Sequence, residues 1–167
     1  NGTVYWLARM LVGGEDIKFI ARRMLILASE DIGLANPNAL IMANNCFQAI
    51  NIIGNPEARI ILSETAVYLA VSPKSNSTYT AINDAISFVK KTGNLPVPLH
   101  LRNAPTKLMK DLNYGKDYGY AHAHEGNFVD LEFLPEEIKG TKFYEPGNNT
   151  TENKIAAELK KKWNGKY

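Results

Sequence analysis

The sequence predicts a mostly α-helical fold. It should form a bundle of about five antiparallel helices over residues 1–93, with an irregular Pro/Tyr-rich extension and a final helix over 94–167. Three observations carry this expectation. Apolar residues before position 93 recur at three- and four-residue spacing, the period of one helical face. Gly-Gly, Asn-Pro, Ser-Pro and Thr-Gly pairs punctuate that pattern at regular intervals. The links they leave are short, which favours antiparallel neighbours. The two regions together are expected to make one structural unit.

The first helix should run from Thr3 to Val12 and stop at Gly13-Gly14, because glycine accepts the left-handed conformation that closes a helix. Asp16 is placed to cap the second, whose face is Ile17, Ile20, Ala21, Met24, Leu27 and Ala28 and whose end lies near Ile32-Gly33. Asn36-Pro37 and Asn55-Pro56 each put a capping side chain before a proline suited to a first turn, and so start helices three and four. Helix three carries Leu40, Ala43, Phe47 and Ile50 on one face and ends at Gly54. Helix four is apolar around more of its girth, from Ile60 to Val71, and either forms the centre of the bundle or faces another subunit. Ser72-Pro73 ends it. Helix five runs from Ser77 to Lys91 with Tyr79, Ile82, Ile86 and Val89 as its stripe, closed by Thr92-Gly93.

After Gly93 the texture changes. Leu95-Pro96-Val97-Pro98 favours an extended path, since each proline also restricts its predecessor. A short helix is expected over 105–112, a short strand within Phe128–Leu134, one helical turn at Pro135–Ile138, and a last helix from Thr151 to Trp163 with Ile155, Ala156, Leu159 and Trp163 on one face. The segment 94–149 is long for a connection. It is expected to wrap the bundle and pack its aromatics there, or to form a separate partner-binding surface.

Composition sets limits. The chain has 167 residues, 45% hydrophobic and 22% charged, which suits a globular domain. A chain of this size buries roughly 70% of its unfolded surface and needs no disulfide or metal to fold. A net charge of +2 is too small to argue for nucleic acid or an anionic membrane by itself. One cysteine, Cys46, excludes an internal disulfide and fits a reducing compartment, and no apolar run reaches the ~20 residues of a membrane span. The absence of a starting methionine and of a signal pattern reads as a piece cut from a longer protein.

The motifs exclude more than they assign. There is no G-x-x-x-x-G-K-[ST], no H-E-x-x-H and no C-x-x-C, so neither nucleotide hydrolysis nor a zinc site is expected. His122-Ala123-His124-Glu125 could offer two imidazoles to one ion from an extended segment, but lacks further ligands; paired surface histidines are the favoured reading. His100 beside Arg102 has no acid or nucleophile to work with. Cys46 reads as a small core residue. Asn76-Ser77-Thr78 and Asn148-Asn149-Thr150 match a glycosylation triplet that matters only after secretion. Glu30 and Asp31 stand where the helix dipole disfavours carboxylates, so structural charge pairing is expected, with Arg9, Arg22, Arg23 or the next helix N-terminus. Arg102, Lys107, Lys110 and Lys116, interleaved with Tyr114, Tyr118 and Tyr120, are the make-up of a single-strand platform; a solvated surface is the alternative.

Several stretches resemble one family. Ser29-Glu30-Asp31-Ile32-Gly33-Leu34-Ala35, Ala70-Val71-Ser72-Pro73-Lys74-Ser75-Asn76 and Leu95-Pro96-Val97-Pro98-Leu99-His100-Leu101-Arg102-Asn103-Ala104 are similar to segments of the replication-associated recombination protein A family. Tyr114-Gly115-Lys116, Tyr120-Ala121-His122 and Phe143-Tyr144-Glu145-Pro146 continue the pattern in order. These are AAA+ ATPases related to clamp loaders and to the Werner-helicase-interacting protein. The resemblance implies a C-terminal helical region that assembles a homotetramer and is similar to the collar domain of clamp loaders. It implies no catalytic, cofactor or metal residue here, with ATP and Mg belonging to the core of the full protein. DNA, and single-strand-binding or other replication-fork proteins, are the partners it implies for that full protein, in a cytoplasmic, nucleoid-associated setting.

Overall fold

The computed structural model describes residues 1–166, the side chain of Glu125 excepted. Seven α-helices are found among them: α1 (Gly2–Val12), α2 (Ile17–Leu27), α3 (Asn38–Ile53), α4 (Ala58–Val71), α5 (Ser77–Thr92), α6 (Lys107–Asp111) and α7 (Thr150–Trp163). Short 3-10 turns fill much of the remainder, and no strand occurs among the described residues. No helix there is long and apolar enough to cross a membrane.

The chain divides into two compact units. The first is Asn1–Asn83 with Tyr144–Ile155. The second is Asp84–Phe143 with the residues after Ile155.

In the first unit α2, α3 and α4 pack on one another and α1 packs on α4. Leu7, Ile20, Ala21, Cys46, Ile50, Ala58, Leu62 and Ala66 form one core cluster, and Ala28, Ile32, Ala39, Ala43 and Leu69 a second. Alanines at the contacts let helix axes approach closely. Asp16 caps α2 as expected, accepting from the Lys18 amide at 2.9 Å. The α2 spacing holds to Leu27, and Ala28–Ile32 then widens into a π-turn before Gly33. The π-turn aims both Ala28 and Ile32 into the second cluster.

The two Asn-Pro starts work differently from expectation. Neither asparagine caps its helix: α3 begins after Pro37 and α4 after Glu57, without a side-chain cap. The Asn36 amide instead donates to Tyr68 Oη at 3.1 Å and Ser72 Oγ at 3.0 Å on α4. A tertiary partner has replaced the local one. The stripe of α5 is also reversed, since Tyr79, Ile82, Ile86 and Val89 are 45–58% exposed and no α5 residue is fully buried.

In the second unit, residues 128–134 form no strand. Their side chains pack instead. Phe128 and Phe133 meet Trp163 edge-on at 4.9 and 5.9 Å, and Val129 and Leu131 lie against Gly119. A Cβ on Gly119 would sit 2.7 Å from Val129, so any other residue there would have to push that side chain aside. Phe88 and Phe143 form a second edge-on pair at 5.4 Å.

Candidate functional site

The densest polar constellation surrounds Glu152 in the first turn of α7. This carboxylate is fully buried. Its Oε1 accepts from Ser77 Oγ at 2.5 Å and from Tyr144 Oη at 3.0 Å, and its Oε2 accepts from Asn149 Nδ2 at 2.6 Å. Ser75 and the Gly147 backbone also donate to it. Burial pushes the Glu152 carboxyl up, but donors from Ser75, Ser77, Gly147 and Asn149 outweigh burial and hold it down at about 2. Burial, and then the neighbouring Glu152 carboxylate, push the Tyr144 phenol up. An acid permanently ionised and closed from solvent cannot shuttle protons near neutrality. Its work is mechanical: it ties α7 to the loop between α4 and α5.

That loop is the Ser72–Asn76 motif, and the side chains of Ser72, Lys74 and Ser75 each have a partner nearby. Lys74 Nζ donates to the Leu69 and Ser72 carbonyls at 2.7 and 3.2 Å, satisfying the end of α4. The Ser75 amide donates to the Asp31 carbonyl at 2.8 Å. Gly33 lies so close that a Cβ there would stand 2.8 Å from the Ser75 carbonyl oxygen. Thr151 Oγ1 donates to the Ala35 carbonyl at 3.0 Å. The Ser29–Ala35 and Ser72–Asn76 segments singled out in the sequence therefore meet at one junction, closed by Glu152. Sequence reasoning missed Glu152. A signal was present, because Asn149-x-x-Glu152 has the spacing of a capping box, and the Glu152 amide does donate to Asn149 Oδ1 at 3.0 Å.

No ion pair to Glu30 or Asp31 is found among the described residues. The π-turn loosens the helix end, and Asp31 contributes its backbone carbonyl rather than its charge. Both residues border an open pocket of about 300 Å³ between α1 and α2, with Met10, Phe19, Arg23 and Leu27.

Arg102 is partly exposed, its Nε donating to the Val97 carbonyl at 2.6 Å and its guanidinium lying 4.9 Å from the Tyr114 ring. Lys107 and Lys110 are exposed on α6, and Lys116 is exposed in the turn after it. His100 Nε2 is 2.8 Å from the Glu132 carbonyl, which fixes a loop. His122 sits in a 3-10 turn beside Tyr120 and not on an extended segment. The Glu125 side chain lies outside the described residues, and among those described no three ligating side chains gather to hold an ion. Cys46 is buried at the α3–α4 contact, and burial chiefly pushes its thiol up.

The remaining conspicuous feature is exposed apolar surface. On α1, Tyr5 and Trp6 are 57% and 60% exposed and Val12 is 90% exposed. On α3, Ile52 is 84% exposed, and on α4 Ile60 and Val71 are also open. An apolar groove of about 540 Å³ runs between α1 and α4, lined by Val4, Leu7, Leu11 and Ile60, with Arg59 and Glu64 at its edge. Exposed apolar surface in this quantity marks contact with another molecule more often than chemistry.

Comparison with known proteins agrees with the motif pattern. The family described as MgsA AAA+ ATPase C terminal matches residues 1–163. Replication-associated recombination protein A of Coxiella burnetii is 46% identical over 160 residues, covering 95% of this chain and 36% of that protein. The protein of the same name from Escherichia coli K12 is 40% identical over the same shares. The ATPase WRNIP1 of Dictyostelium discoideum is 47% identical over 146 residues, covering 87% of this chain and 17% of its own length. The chain spans little more than a third of the first two relatives. With a match over nearly every residue, the chain belongs to the family of MgsA AAA+ ATPase C-terminal domains.

Proposed function

We propose that this chain is the assembly domain of an AAA+ ATPase that acts on DNA in replication-associated recombination, joining copies into a homotetramer. The observation that carries the reading is the exposed apolar surface on α1, α3, α4 and α5. Burying such faces between copies is favourable at about 25 cal/mol per Å². The ATP and Mg of the parent protein would be held by its core, and the role of this domain would be to set the spacing of those cores on DNA. A cytoplasmic, nucleoid-associated location follows from the same reading, with single-strand-binding protein among its candidate partners. The test is light scattering on the isolated chain at high micromolar concentration. A mass near four times 18.6 kDa is expected, and a monomer would refute the reading.

A second reading has one observation in its favour. Lys107, Lys110 and Lys116 are exposed, as are Tyr118 and Tyr120, so this stretch offers cations and ring faces to a single strand. With Arg102 tied to Val97 and Tyr114, replacing the three lysines by alanine should abolish any salt-sensitive binding of single-stranded DNA. Binding that survives the triple replacement removes this reading.

A further inference from the structure

We propose that α2 and the π-turn after it form a twofold seam between two copies of this chain. The inference rests on the reading of the chain as an assembly domain and names one contact surface. Every residue it uses lies in the first unit. Arg23, Leu27 and Asp31 follow one another at four-residue spacing, so they share one edge of the helix, and all three are exposed. Ile26 and Glu30 run beside them at the same spacing. These five residues border the open pocket of about 300 Å³ between α1 and α2, and they divide it by kind. Leu27 and Ile26, with the exposed Phe19, supply an apolar middle. Arg23 stands four residues before Leu27 and Asp31 four after it, with Glu30 on the acidic side. Base and acid are thus about 10–12 Å apart along the axis, and no ion pair to Arg23, Glu30 or Asp31 is found among the described residues.

A second copy is the occupant that this charge pattern fits. A twofold axis through Leu27 runs the partner's helix in the opposite direction and sets the same edges face to face. Arg23 of each copy then lies opposite Asp31 and Glu30 of the other, and Leu27 meets Leu27 between the two charge pairs. An edge with a base and an acid at equal distances from its own centre is complementary to itself. A nucleic acid or a peptide of one sign would satisfy one end of it and be repelled by the other. Arg22, one residue before Arg23, is engaged within its own copy, its guanidinium 5.8 Å from the ring of Phe19. Closing the apolar middle from water supplies the attraction, and the reversed charges fix the register. A tetramer built from isologous contacts needs two of them, and this seam is one.

The experiment measures mass by light scattering over a concentration series, with circular dichroism reporting folding. Arg23→Glu leaves only acids along the edge, and Glu30→Lys/Asp31→Lys leaves only bases. Each variant alone should form a smaller assembly than the wild type, with its dissociation constant raised at least about tenfold. Mixed in equal amounts, the two should recover the wild-type mass, because an acidic edge then faces a basic one. Lys142→Glu, which reverses an exposed cation of the second unit, should leave the mass unchanged. Should the lysine pair disturb folding, Asp31→Arg takes its place, since that side chain is exposed, and the same recovery on mixing is expected. A wild-type assembly that the folded variants leave intact overturns the seam and leaves the assembly reading standing. Weakening that mixing fails to reverse does the same, since the charges then do not meet across copies. A wild-type dimer that weakens and recovers in this way supports the seam and refutes the tetramer. A monomeric wild type overturns both.

Discussion

Replacing Glu152 by glutamine removes one charge from the junction while keeping the side chain's shape. The folded carboxyl sits at about 2 against an ordinary value of 4.5. Each unit of difference is worth 1.36 kcal/mol, so the ionised form contributes on the order of 3 kcal/mol to the folded state. Because the folded value lies below the unfolded one, that contribution is complete above about pH 5 and is lost as pH falls from 4.5 towards 2. At pH 7 the Glu152→Gln chain should therefore melt roughly 10 °C below the wild type. The difference should shrink steadily on acidification and vanish near pH 2. Urea unfolding followed by helical circular dichroism across that range gives the two stabilities directly. Other carboxylates titrate over the same interval, but they do so in both proteins, and the comparison isolates this one. A difference that stays constant from pH 7 to pH 2 would refute the claim that an ionised Glu152 holds α7 to the loop.

Two further outcomes are expected. Gly33→Ala should cost about 2–4 kcal/mol in chemical denaturation, since φ is +49° and the new Cβ meets the Ser75 carbonyl oxygen at 2.8 Å, whereas Gly54→Ala, at φ +70° with open space around it, should cost about 1 kcal/mol; equal losses would remove the contact argument. Cys46, buried and with its thiol pushed up by burial, should react with a thiol reagent at least about 100-fold more slowly in the folded chain than in urea, and rapid native labelling would contradict its place in the core.

The helices of the first unit were legible because spacing and punctuation agree. Gly13-Gly14, Asp16, Gly54 and Ser72-Pro73 act locally, and local chemistry is what a sequence displays. Asn36 was misread because its winning partners, Tyr68 and Ser72, lie 32 and 36 residues away. The α5 period was correct but its direction was not. Spacing reveals that a face exists, and the assumption that large side chains point inward failed where Ala81, Ala85 and Phe88 supply the packed face. The strand expected within 128–134 rested on composition alone, and a strand needs a partner that composition does not locate. At the junction, the capping-box spacing of Asn149 and Glu152 was readable, but Ser75 and Ser77 reach that carboxylate from more than seventy residues upstream.

The same junction dictates an order of events during synthesis. Ser77 and Ala35 receive their partners from residues 75 and 116 positions later in the chain. A ribosome must have released Glu152 before the first unit can close. Until then the nascent polypeptide carries an unlatched loop and open oily helices, and late-arriving long-range contacts of this kind slow folding and expose a chain to aggregation. A chain whose translation stops before position 150 would therefore be a substrate for chaperones and proteases rather than a smaller working domain.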